Sequence, residues 1–561
     1  MSIKLQAVQL LKKLFSPAHG LHLDYQKQQS LQHPVTRIQS TPDTELVLPL
    51  QQHMGNKPEV RVQVGDYVYK GQPLAAAEGD ISVPIHATSS GTIVAIEERP
   101  IPHPSGLNDL CIILRPDGKH DRGNSCMEPI PDYEQASEET LRRRICEAGI
   151  VGLGGAVFPA AIKLNVRPNI PICTLVINGA ECEPYITCDD RLMRDKADEI
   201  IAGAQIMLHI LKNHAPDQRK QQCLIGIEDN KPEAIAAMQA AVDKSGDIRI
   251  QVIAVPTLYP AGGEKQLIKA LTGKEVPSGQ RPADIGMICH NVATSRAIYR
   301  ATVLGEPLIS RYVTVTGPGI KQPQNIEVAF GTPIAAVVEH AGGYTDQAGQ
   351  LVMGGPMMGV SLNDDAIPVV KATNCILVQP APQQTSETLP CIRCGQCAQA
   401  CPAGLLPQQL YWYARAKDFE QTEAYKLFDC IECGCCSYVC PSHIPLVDYY
   451  RFAKSEVRAQ RIAKQKAEVA RERHEFHIER LERAKRERAE KLAKHKKKAV
   501  SADKKDAIQA ALERAKAKKA QMAADNQSAK SAASNENTER TAKPENKDNP
   551  VSTKTQEPAK S

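Results

Sequence analysis

The first pattern of apolar and polar positions in the chain is a series of short apolar runs between residues 45 and 115. Glycine, proline and aspartate break these runs every few residues, which is typical of a small all-β unit. The sequence therefore predicts a β domain within residues 1–125. The predicted strands are 60–64, 68–69, 92–96 and 111–114.

After residue 126 the pattern changes, and buried strands alternate with amphipathic helices. The first helix has recognisable ends, because Ser137 can cap its amino terminus and Gly149 can stop it. Strands that alternate with helices indicate a largely parallel sheet with ligands at the carboxyl ends of its strands. Residues 126–305 are therefore predicted to form an α/β domain. The other elements predicted there are strands at 172–177, 223–227 and 248–255, and helices at 190–212, 232–244 and 264–271.

Residues 306–360 have the pattern of a small α+β module. The stretch 311–316 alternates like an edge strand, and 323–330 and 333–340 predict a second strand and a helix. A module of this size buries little apolar surface alone, so we expect it to pack on its neighbours.

The last hundred residues are charged and helix-forming. Ile462, Val469 and Phe476 recur every seven positions, but no second apolar seam accompanies them, which favours a solvated single helix over a coiled coil. From about residue 523 the chain is too rich in Ser, Asn, Lys, Glu and Pro to order itself. Residues 451–561 are therefore predicted to be a charged helical and then disordered tail.

The net charge of +5 is unevenly distributed. Residues 451–561 hold 30 Lys and Arg against 17 Asp and Glu, a net +13, which leaves −8 for residues 1–450. An acidic body argues against a nucleic-acid-binding domain, and we expect no nucleic acid partner. The basic tail could attract anionic lipid or be an inert solvated helix, and the sequence leaves both open.

The hydrophobic runs are too short to cross a membrane. No stretch approaches 18 uninterrupted apolar residues, so we expect a soluble or peripheral protein. The segment 3–15 could be an amphipathic helix that lies on lipid or on a partner, or an ordinary packed helix.

Two cysteine runs at 391–401 and 430–440 carry the clearest chemical signal. Each reads Cys-x2-Cys-x2-Cys-x3-Cys-Pro, the spacing with which ferredoxins hold two 4Fe-4S clusters. In such proteins the fourth cysteine of each run binds the other cluster. The predicted ligand sets are Cys391, Cys394, Cys397 and Cys440 for cluster 1, and Cys430, Cys433, Cys436 and Cys401 for cluster 2.

Zinc is the alternative for closely spaced cysteines, since four thiolates also make a tetrahedral zinc site. The repeated Cys-Pro ending and the lack of a long spacer within each run favour iron–sulfur instead. Cys435 is expected to be a bystander. The ten cysteines outside the ligand sets have no disulfide-like spacing, which indicates a reducing, cytosolic compartment.

A glycine-rich segment at 152–159 precedes a short helical stretch that ends at Lys163. Glycines at the start of a helix let backbone N–H groups face a phosphate, aided by the helix dipole. The segment follows a helix and lacks the dinucleotide spacing, so on its own it could equally be a connecting turn.

Four segments together resemble the NADH-binding, FMN-carrying subunit of respiratory complex I: 152–163, 178–184, 259–264 and 291–294. The family's residues differ here at Leu153, Ala180, Gly263 and Ala293. The resemblance implies an FMN site that includes Gly152, Gly154, Gly155, Lys163, Asn178, Tyr259, Gly262, Asn291 and Thr294. It also implies a dinucleotide pocket lined by Phe158, Glu181, Glu183 and Glu264. Hydride transfer requires no acid–base side chain, so we predict no catalytic residue.

The first domain resembles the flattened half-barrels of biotinyl and lipoyl carriers. Their modifiable lysine is absent from the corresponding stretch, 77–80, so we expect a scaffold without a swinging arm. The order of domains as a whole resembles the C subunits of Rnf/Rsx ion-translocating oxidoreductase complexes. The phrases 49–55 and 354–359 are similar to that family as well.

This second resemblance implies a multidomain α+β protein. Its parts would be an N-terminal barrel-sandwich (1–125), a flavin-type α/β domain (126–305), a β-grasp-like module of SLBB type (306–360), a helical two-cluster ferredoxin domain (385–450) and the tail (451–561). It implies electron transfer from NADH through FMN and two 4Fe-4S clusters to integral membrane, iron–sulfur and flavin subunits, on the cytoplasmic side of a bacterial inner membrane. An electron-relay and docking subunit without nicotinamide chemistry, and a soluble NADH diaphorase subunit, are the alternatives.

Overall fold

The computed structural model describes residues 19–124, 127–167, 170–215, 221–381 and 387–525. The predicted helix at 3–15 and the predicted disorder at the carboxyl end lie outside these residues. The chain divides into two units, 1–460 and 461–561. Within the described ranges, no helix combines the length and the apolar character needed to span a bilayer.

The first domain consists of two antiparallel sheets, as its alternating pattern predicts. One sheet has the order β2-β8-β7-β4 and the other β3-β5-β6. Leu48, Ile93 and Ile112 are completely buried between them. The strands of these two sheets are β2 (Leu46–Pro49), β3 (Glu59–Val60), β4 (Tyr67–Val68), β5 (Pro73–Ala76), β6 (Ile85–His86), β7 (Gly91–Pro100) and β8 (Asn108–Pro116). Strand β1 (Thr36–Arg37) precedes them in the chain and belongs to the third sheet.

The second domain is built on a four-stranded, wholly parallel sheet in the order β11-β10-β9-β12, which confirms the predicted α/β pattern. The Ser137 hydroxyl caps the first helix by accepting from the amide of Thr140 at 3.1 Å. The strands are β9 (Thr174–Gly179), β10 (Gln222–Glu228), β11 (Ile250–Val255) and β12 (Met287–Asn291). The helices are α1 (Glu138–Glu147), α2 (Ala160–Lys163), α3 (Cys188–Ile210), α4 (Pro232–Ser245), α5 (Glu264–Thr272) and α6 (Val292–Val303).

Helices α3 and α6 approach each other closely at Gly203. A Cβ atom added to Gly203 would lie 1.9 Å from the carbonyl oxygen of Ser295, so only glycine fits. The Ser295 hydroxyl donates in turn to the carbonyl of Ile200 at 2.7 Å. This contact sets the position of α6, whose first turn follows the predicted site residue Asn291.

The third sheet has six strands in the order β1-β14-β13-β17-β15-β16. It includes strands from outside 306–360, since β1 pairs with β14 and β17 pairs with β13. Its strands after β1 are β13 (Ser310–Thr316), β14 (Gln324–Ala329), β15 (Gln350–Met353), β16 (Val360–Leu362) and β17 (Cys375–Gln379), with helix α7 (Ile334–His340) beside them.

The prediction that 311–316 forms an edge strand is wrong. Strand β13 lies in the interior of the sheet, antiparallel to β14 and parallel to β17. Most of its polar side chains lie in the protein interior and make hydrogen bonds there, so the alternation in the sequence resembles that of a strand whose polar side chains face solvent. For example, the Thr314 hydroxyl donates to Asn325 Oδ1 at 2.9 Å and accepts from the amide of Thr187 at 3.0 Å.

The cysteine-rich region folds as short helices around a separate core that contains Leu410, Leu427 and Tyr450. The helices are α8 (Gln396–Ala400), α9 (Pro407–Ala416), α10 (Phe419–Ala424), α11 (Cys435–Tyr438) and α12 (Leu446–Asp525). From residue 461 to 521 every side chain of α12 is exposed, as expected for a solvated helix.

We expect that replacing Gly203 with alanine lowers the free energy of unfolding by about 1–3 kcal/mol, because the added methyl group overpacks the α3–α6 contact. Helix propensity alone would act in the opposite direction by about 1 kcal/mol. Thermal denaturation measures the change. Ala202→Gly, at the neighbouring position of the same helix, is the control and should lose only the propensity term. A raised melting temperature for Gly203→Ala would contradict the close approach.

Candidate functional site

Three of the four resemblance segments meet at the carboxyl edge of the parallel sheet. They follow β9, β11 and β12, and a hydrogen bond joins the first two of them. The Asn178 side-chain amide donates to the carbonyl of Gly262 at 2.8 Å and its oxygen accepts from the amide of Ala180 at 3.0 Å. Asn291 caps α6 and also donates to Asp189 at 2.6 Å. The side chains of Asn178 and Asn291 therefore hold the loops at this edge of the sheet in place.

The glycine-rich segment lies beside the same edge. The amide of Leu153 donates to the buried hydroxyl of Thr294 at 2.9 Å, which ties the segment to the first turn of α6. A Cβ atom on Gly154 would lie 3.3 Å from Asn291 Cβ, so a side chain there would crowd the site. Gly155 has φ +112° and a Cβ there would meet no atom within 4 Å. The segment therefore presents exposed backbone to open space.

The charged pair Lys163 and Glu264 connects the glycine-rich segment to the 259–264 loop. The Lys163 ammonium contacts the Glu264 carboxylate, and both side chains are about one third exposed, at 32% and 38%. Phe158, five residues before Lys163 in the chain, is partly exposed. These side chains are accessible to a ligand, whereas Tyr259 and Thr294 are buried.

The carboxylates of Glu181 and Glu183 both accept hydrogen bonds from backbone amides. The Glu181 carboxylate accepts from the amides of Asp189 at 2.7 Å and Asp190 at 3.2 Å, at the start of α3. Glu183 accepts from the amides of Met358 at 2.7 Å and Met357 at 3.3 Å. The conspicuous 354–359 phrase in the sequence thus forms a loop that binds a carboxylate.

Burial dominates the electrostatics of this loop. It raises the pKa of Glu183 to about 7, although the two amides and the Lys27 ammonium lower it. Burial, together with the neighbouring Glu181 carboxylate, also raises the pKa of Asp189 above its ordinary value. Glu181 itself has a left-handed backbone with φ +43°, which the surrounding hydrogen bonds hold in place.

The sequence reasoning missed two lysines that hold the same loop. Lys27 is buried, and its ammonium donates to the carbonyls of Glu181, Glu183 and Ile186 at 2.8, 2.9 and 2.5 Å. Lys231 donates to the carbonyl of Ala180 at 3.0 Å. Nothing in the local sequence marks Lys27.

Lys231 forms a buried ion pair with Glu228 at 2.5 Å. Their signal was available in the sequence, because Glu228 directly follows the predicted strand 223–227 and Lys231 comes three residues later.

Tyr259 leads from the parallel sheet to the cysteine-rich domain. Its side chain is completely buried, and its hydroxyl donates to the carbonyl oxygen of Cys433 at 2.6 Å. Cys182 and Cys435 pack in the same apolar cluster. The structure thus brings the 259–264 loop and the second cysteine run into direct contact.

The eight cysteines line two separate cavities. One is lined by Cys391, Cys394, Cys397 and Cys440. The other is lined by Cys401, Cys430, Cys433 and Cys436, with Cys435 beside them. Each cavity therefore takes three cysteines from one run and the fourth from the other.

Both groups of donors fit the cofactors that the sequence implies. Burial raises the pKa of Cys430 to about 11, and a bound metal would stabilise its thiolate at neutral pH. Four soft sulfur donors per cavity suit iron–sulfur clusters. The exposed amides beside Gly154 and Gly155, with the Lys163 ammonium nearby, suit a phosphate such as that of FMN.

Four known domain families match the chain in sequence. The RnfC barrel sandwich hybrid domain matches residues 15–119, and the Nuo51 FMN-binding domain matches 145–300. The SLBB domain matches 312–361 and a 4Fe-4S dicluster domain matches 390–444. The chain is thus a multidomain protein whose cofactors are FMN and 4Fe-4S clusters, as the sequence predicts.

Several bacterial proteins are similar over most of the chain, and all are named as the C subunit of an ion-translocating oxidoreductase complex. That of Pectobacterium carotovorum is 48% identical over 89% of the chain and 65% of its own length. That of Pectobacterium atrosepticum is 48% identical over 89% of the chain and 70% of its length. That of Yersinia pestis is 51% identical over 78% and 69%. The chain therefore spans about two thirds of the length of these relatives.

Among solved structures, part of the chain matches part of an NAD+-reducing nickel–iron hydrogenase in its H2-reduced state. The TM-score is 0.41 at 16% identity, over 58% of this chain and 65% of that one. The air-oxidised form gives a TM-score of 0.39 at 18% identity, over 53% and 57%. The sequence relatives are far more similar, and by them the chain belongs to the RnfC family, the C subunits of ion-translocating oxidoreductase complexes.

Proposed function

We propose that this chain carries electrons from NADH, through FMN and two 4Fe-4S clusters, to membrane subunits of an ion-translocating complex. The contact between Tyr259 and the carbonyl oxygen of Cys433 supports this best, because it joins the flavin-type domain directly to one of the cysteine-lined cavities. When bound, FMN exchanges two-electron for one-electron chemistry and the clusters carry single electrons. The residues of the chain position these groups and exclude water from between them.

The proposed cluster ligands are crossed between the two runs. Cluster 1 would be held by Cys391, Cys394, Cys397 and Cys440, and cluster 2 by Cys430, Cys433, Cys436 and Cys401. The composition of the two cavities supports this assignment. Cys435 lies beside the second cavity, and we propose that it packs there without binding iron.

The positions of the cavities also suggest an order for electron transfer. The cavity of cluster 2 contacts the flavin-type domain through Tyr259 and Cys433. The cavity of cluster 1 includes Cys394, which is exposed at the surface. Electrons from the flavin side would therefore reach cluster 2 first and leave the chain from cluster 1.

The thirteen residues predicted to bind cofactor would have two kinds of role. The backbone at Gly152, Gly154 and Gly155 and the Lys163 ammonium would receive the flavin phosphate, and Phe158 and Glu264 would line the nicotinamide side. The others support the pocket through the contacts described above. These supporting residues are Asn178, Glu181, Glu183, Tyr259, Gly262, Asn291 and Thr294.

The partners and location follow from the same proposal. Integral membrane, iron–sulfur and flavin subunits of the same complex would receive the electrons, so ion movement would not occur in this chain. The chain would lie on the cytoplasmic side of a bacterial inner membrane as a peripheral subunit. A soluble NADH diaphorase would use the same residues but would not fractionate with membranes.

One observation favours a second function, an electron relay without nicotinamide chemistry. Glu181 and Glu183, implied by the resemblance to line the dinucleotide pocket, already accept hydrogen bonds from four backbone amides. Ala180, Gly263 and Ala293 also replace side chains of the resembled family. In this alternative the cysteine-lined cavities keep their role and the flavin-type domain serves as a docking scaffold.

Replacing Cys401 with serine should remove cluster 2, whose other ligands lie about thirty or more residues later, and leave cluster 1 intact. About half of the iron and sulfide should be lost, and the electron paramagnetic resonance signal of one reduced cluster should disappear. Cys435→Ser is the control and should retain both signals. Loss of the cluster nearest in sequence to Cys401 would contradict the crossed ligands, and zinc in the purified protein would contradict both clusters.

Anaerobic titration with NADH should bleach the flavin of the FMN-loaded protein and then reduce the clusters. Lys163→Gln should weaken FMN binding about tenfold, because a charge-assisted contact to the phosphate is lost, while the cluster signals persist. Lys274→Gln, an exposed lysine of the same domain, is the control. Unchanged flavin absorbance on adding NADH would favour the relay, and purified protein with clusters but no affinity for FMN would establish it.

The pH dependence of stability should show that Glu183 is buried. With its pKa raised from 4.5 to about 7, the folded state keeps a proton that the unfolded chain has released, so stability falls as the pH rises through this range. Glu183→Gln cannot titrate, and its stability should fall less steeply between pH 5.5 and 7, by up to about 1.4 kcal/mol per pH unit. Thermal denaturation measures both slopes, with Glu97→Gln as an exposed control. Parallel slopes would contradict the buried site.

A further inference from the structure

A third cavity, distinct from the two cysteine-lined ones, lies where the first three domains meet. The space enclosed in it is about 70 Å³. Lys70 and Arg122 reach it from the first domain, helix α6 contributes Arg296 and Arg300, and strand β13 contributes Arg311.

The lining of this cavity is strongly basic. Its six cationic side chains face two carboxylates of the lining, Glu306 and Glu327, and a third carboxylate, Glu199, pairs with Arg296 at 2.8 Å and with Arg300 at 3.6 Å, which leaves a net charge of +3. Glu306 already pairs with Arg122 at 2.8 Å and with Arg300. The six cations are Arg37, Lys70, Arg122, Arg296, Arg300 and Arg311.

Three of these cations lack an anionic partner of their own among the described residues. Within the ranges that the structure describes, Arg37, Lys70 and Arg311 make no ion pair. Arg311 is only 3% exposed, and its guanidinium donates to backbone carbonyls, among them that of Leu153 at 3.0 Å. Burying a charge without a counterion is costly, so an anion from solution would stabilise this arrangement.

The pKa of Lys70 reflects the same excess of positive charge in the cavity. Burial lowers its pKa to about 8, and the nearby Arg37 and Arg122 lower it further than Glu306 and Glu327 raise it. A bound anion would raise the pKa of this lysine again, because it favours the charged form. The ligand and the proton on Lys70 should therefore favour each other.

We propose that this cavity binds a compact polyanion that carries two or more phosphate groups. Five of the six cations in the lining are arginines, whose planar donors match phosphate oxygens two at a time, and several positive charges require more than one phosphate to balance them. The one aromatic ring in the lining, that of Tyr312, is covered by Arg296 at 5.5 Å from its centre. No free aromatic face is therefore offered to a nucleobase among the described lining residues, which favours a ligand without one.

The cavity also touches the glycine-rich segment from behind. Leu153 lines it, and the backbone of Leu153 bonds both to Arg311 and to Thr294 of helix α6. A ligand that draws Arg311 toward the cavity would act on the segment whose exposed face we assign to FMN. Occupancy of the cavity should thus alter the hydrogen bonding of the segment without adding a group to the flavin pocket.

Isothermal titration calorimetry of the full chain with inorganic pyrophosphate tests this proposal. The protein is purified anaerobically with its clusters and saturated with FMN, so that the flavin phosphate position is filled. We expect one pyrophosphate per chain, with weaker binding at higher salt and weaker binding of inorganic phosphate. Lys70→Met and Arg37→Gln should each weaken pyrophosphate binding about tenfold, because each removes a charge-assisted contact.

Arg99→Gln is the matched control, since this exposed arginine of the first domain already pairs with Glu97 and lies outside the cavity. It should bind pyrophosphate as the unmodified chain does. Arg37 is exposed, so its variant should fold even if Lys70→Met does not. Absence of binding, or binding that neither substitution weakens, would overturn the proposal.

Discussion

The hydrogen bond from Tyr259 to the carbonyl oxygen of Cys433 is the contact on which the arrangement of this molecule depends. A buried phenol must find an acceptor, and here the acceptor belongs to the backbone of the other redox domain. Apolar packing of Cys182 and Cys435 around it removes water from the junction. A change that separates these two domains would leave a polar hydroxyl and an apolar patch without partners, so the junction favours one geometry.

The loop after β9 illustrates how buried charge can be structural. In the sequence, its two glutamates resemble residues that bind a ligand. In the structure, their carboxylate oxygens accept hydrogen bonds from amides of α3 and of the 357–358 turn. Lys27 binds the carbonyls of the same loop from a third direction. The loop is therefore held from three separate parts of the chain, and its rigidity positions the neighbouring segments at the sheet edge.

The features predictable from sequence were those with a local signature. The alternation of strands and helices indicated the parallel sheet, and Ser137 marked a helix start that the structure confirms. Features that depend on distant pairing were missed. Strand β13 resembled an edge strand because its buried Thr314 pairs with Thr187, far away in the chain. Nothing near Lys27 in the sequence indicates that it binds a loop more than 150 residues later.

The exchange of one cysteine between the two cavities has a consequence for how the protein is made. When the chain has emerged from the ribosome only as far as Cys401, it contains three of the four cysteines of one cavity and a single cysteine of the other. The cavity that contains Cys401 has all four of its cysteines once Cys436 has emerged, and the other cavity only once Cys440 has emerged and the intervening helices α9 and α10 have folded back. Cofactor loading by the cell's assembly machinery is thereby deferred to a late stage of synthesis, and it concerns both compartments together.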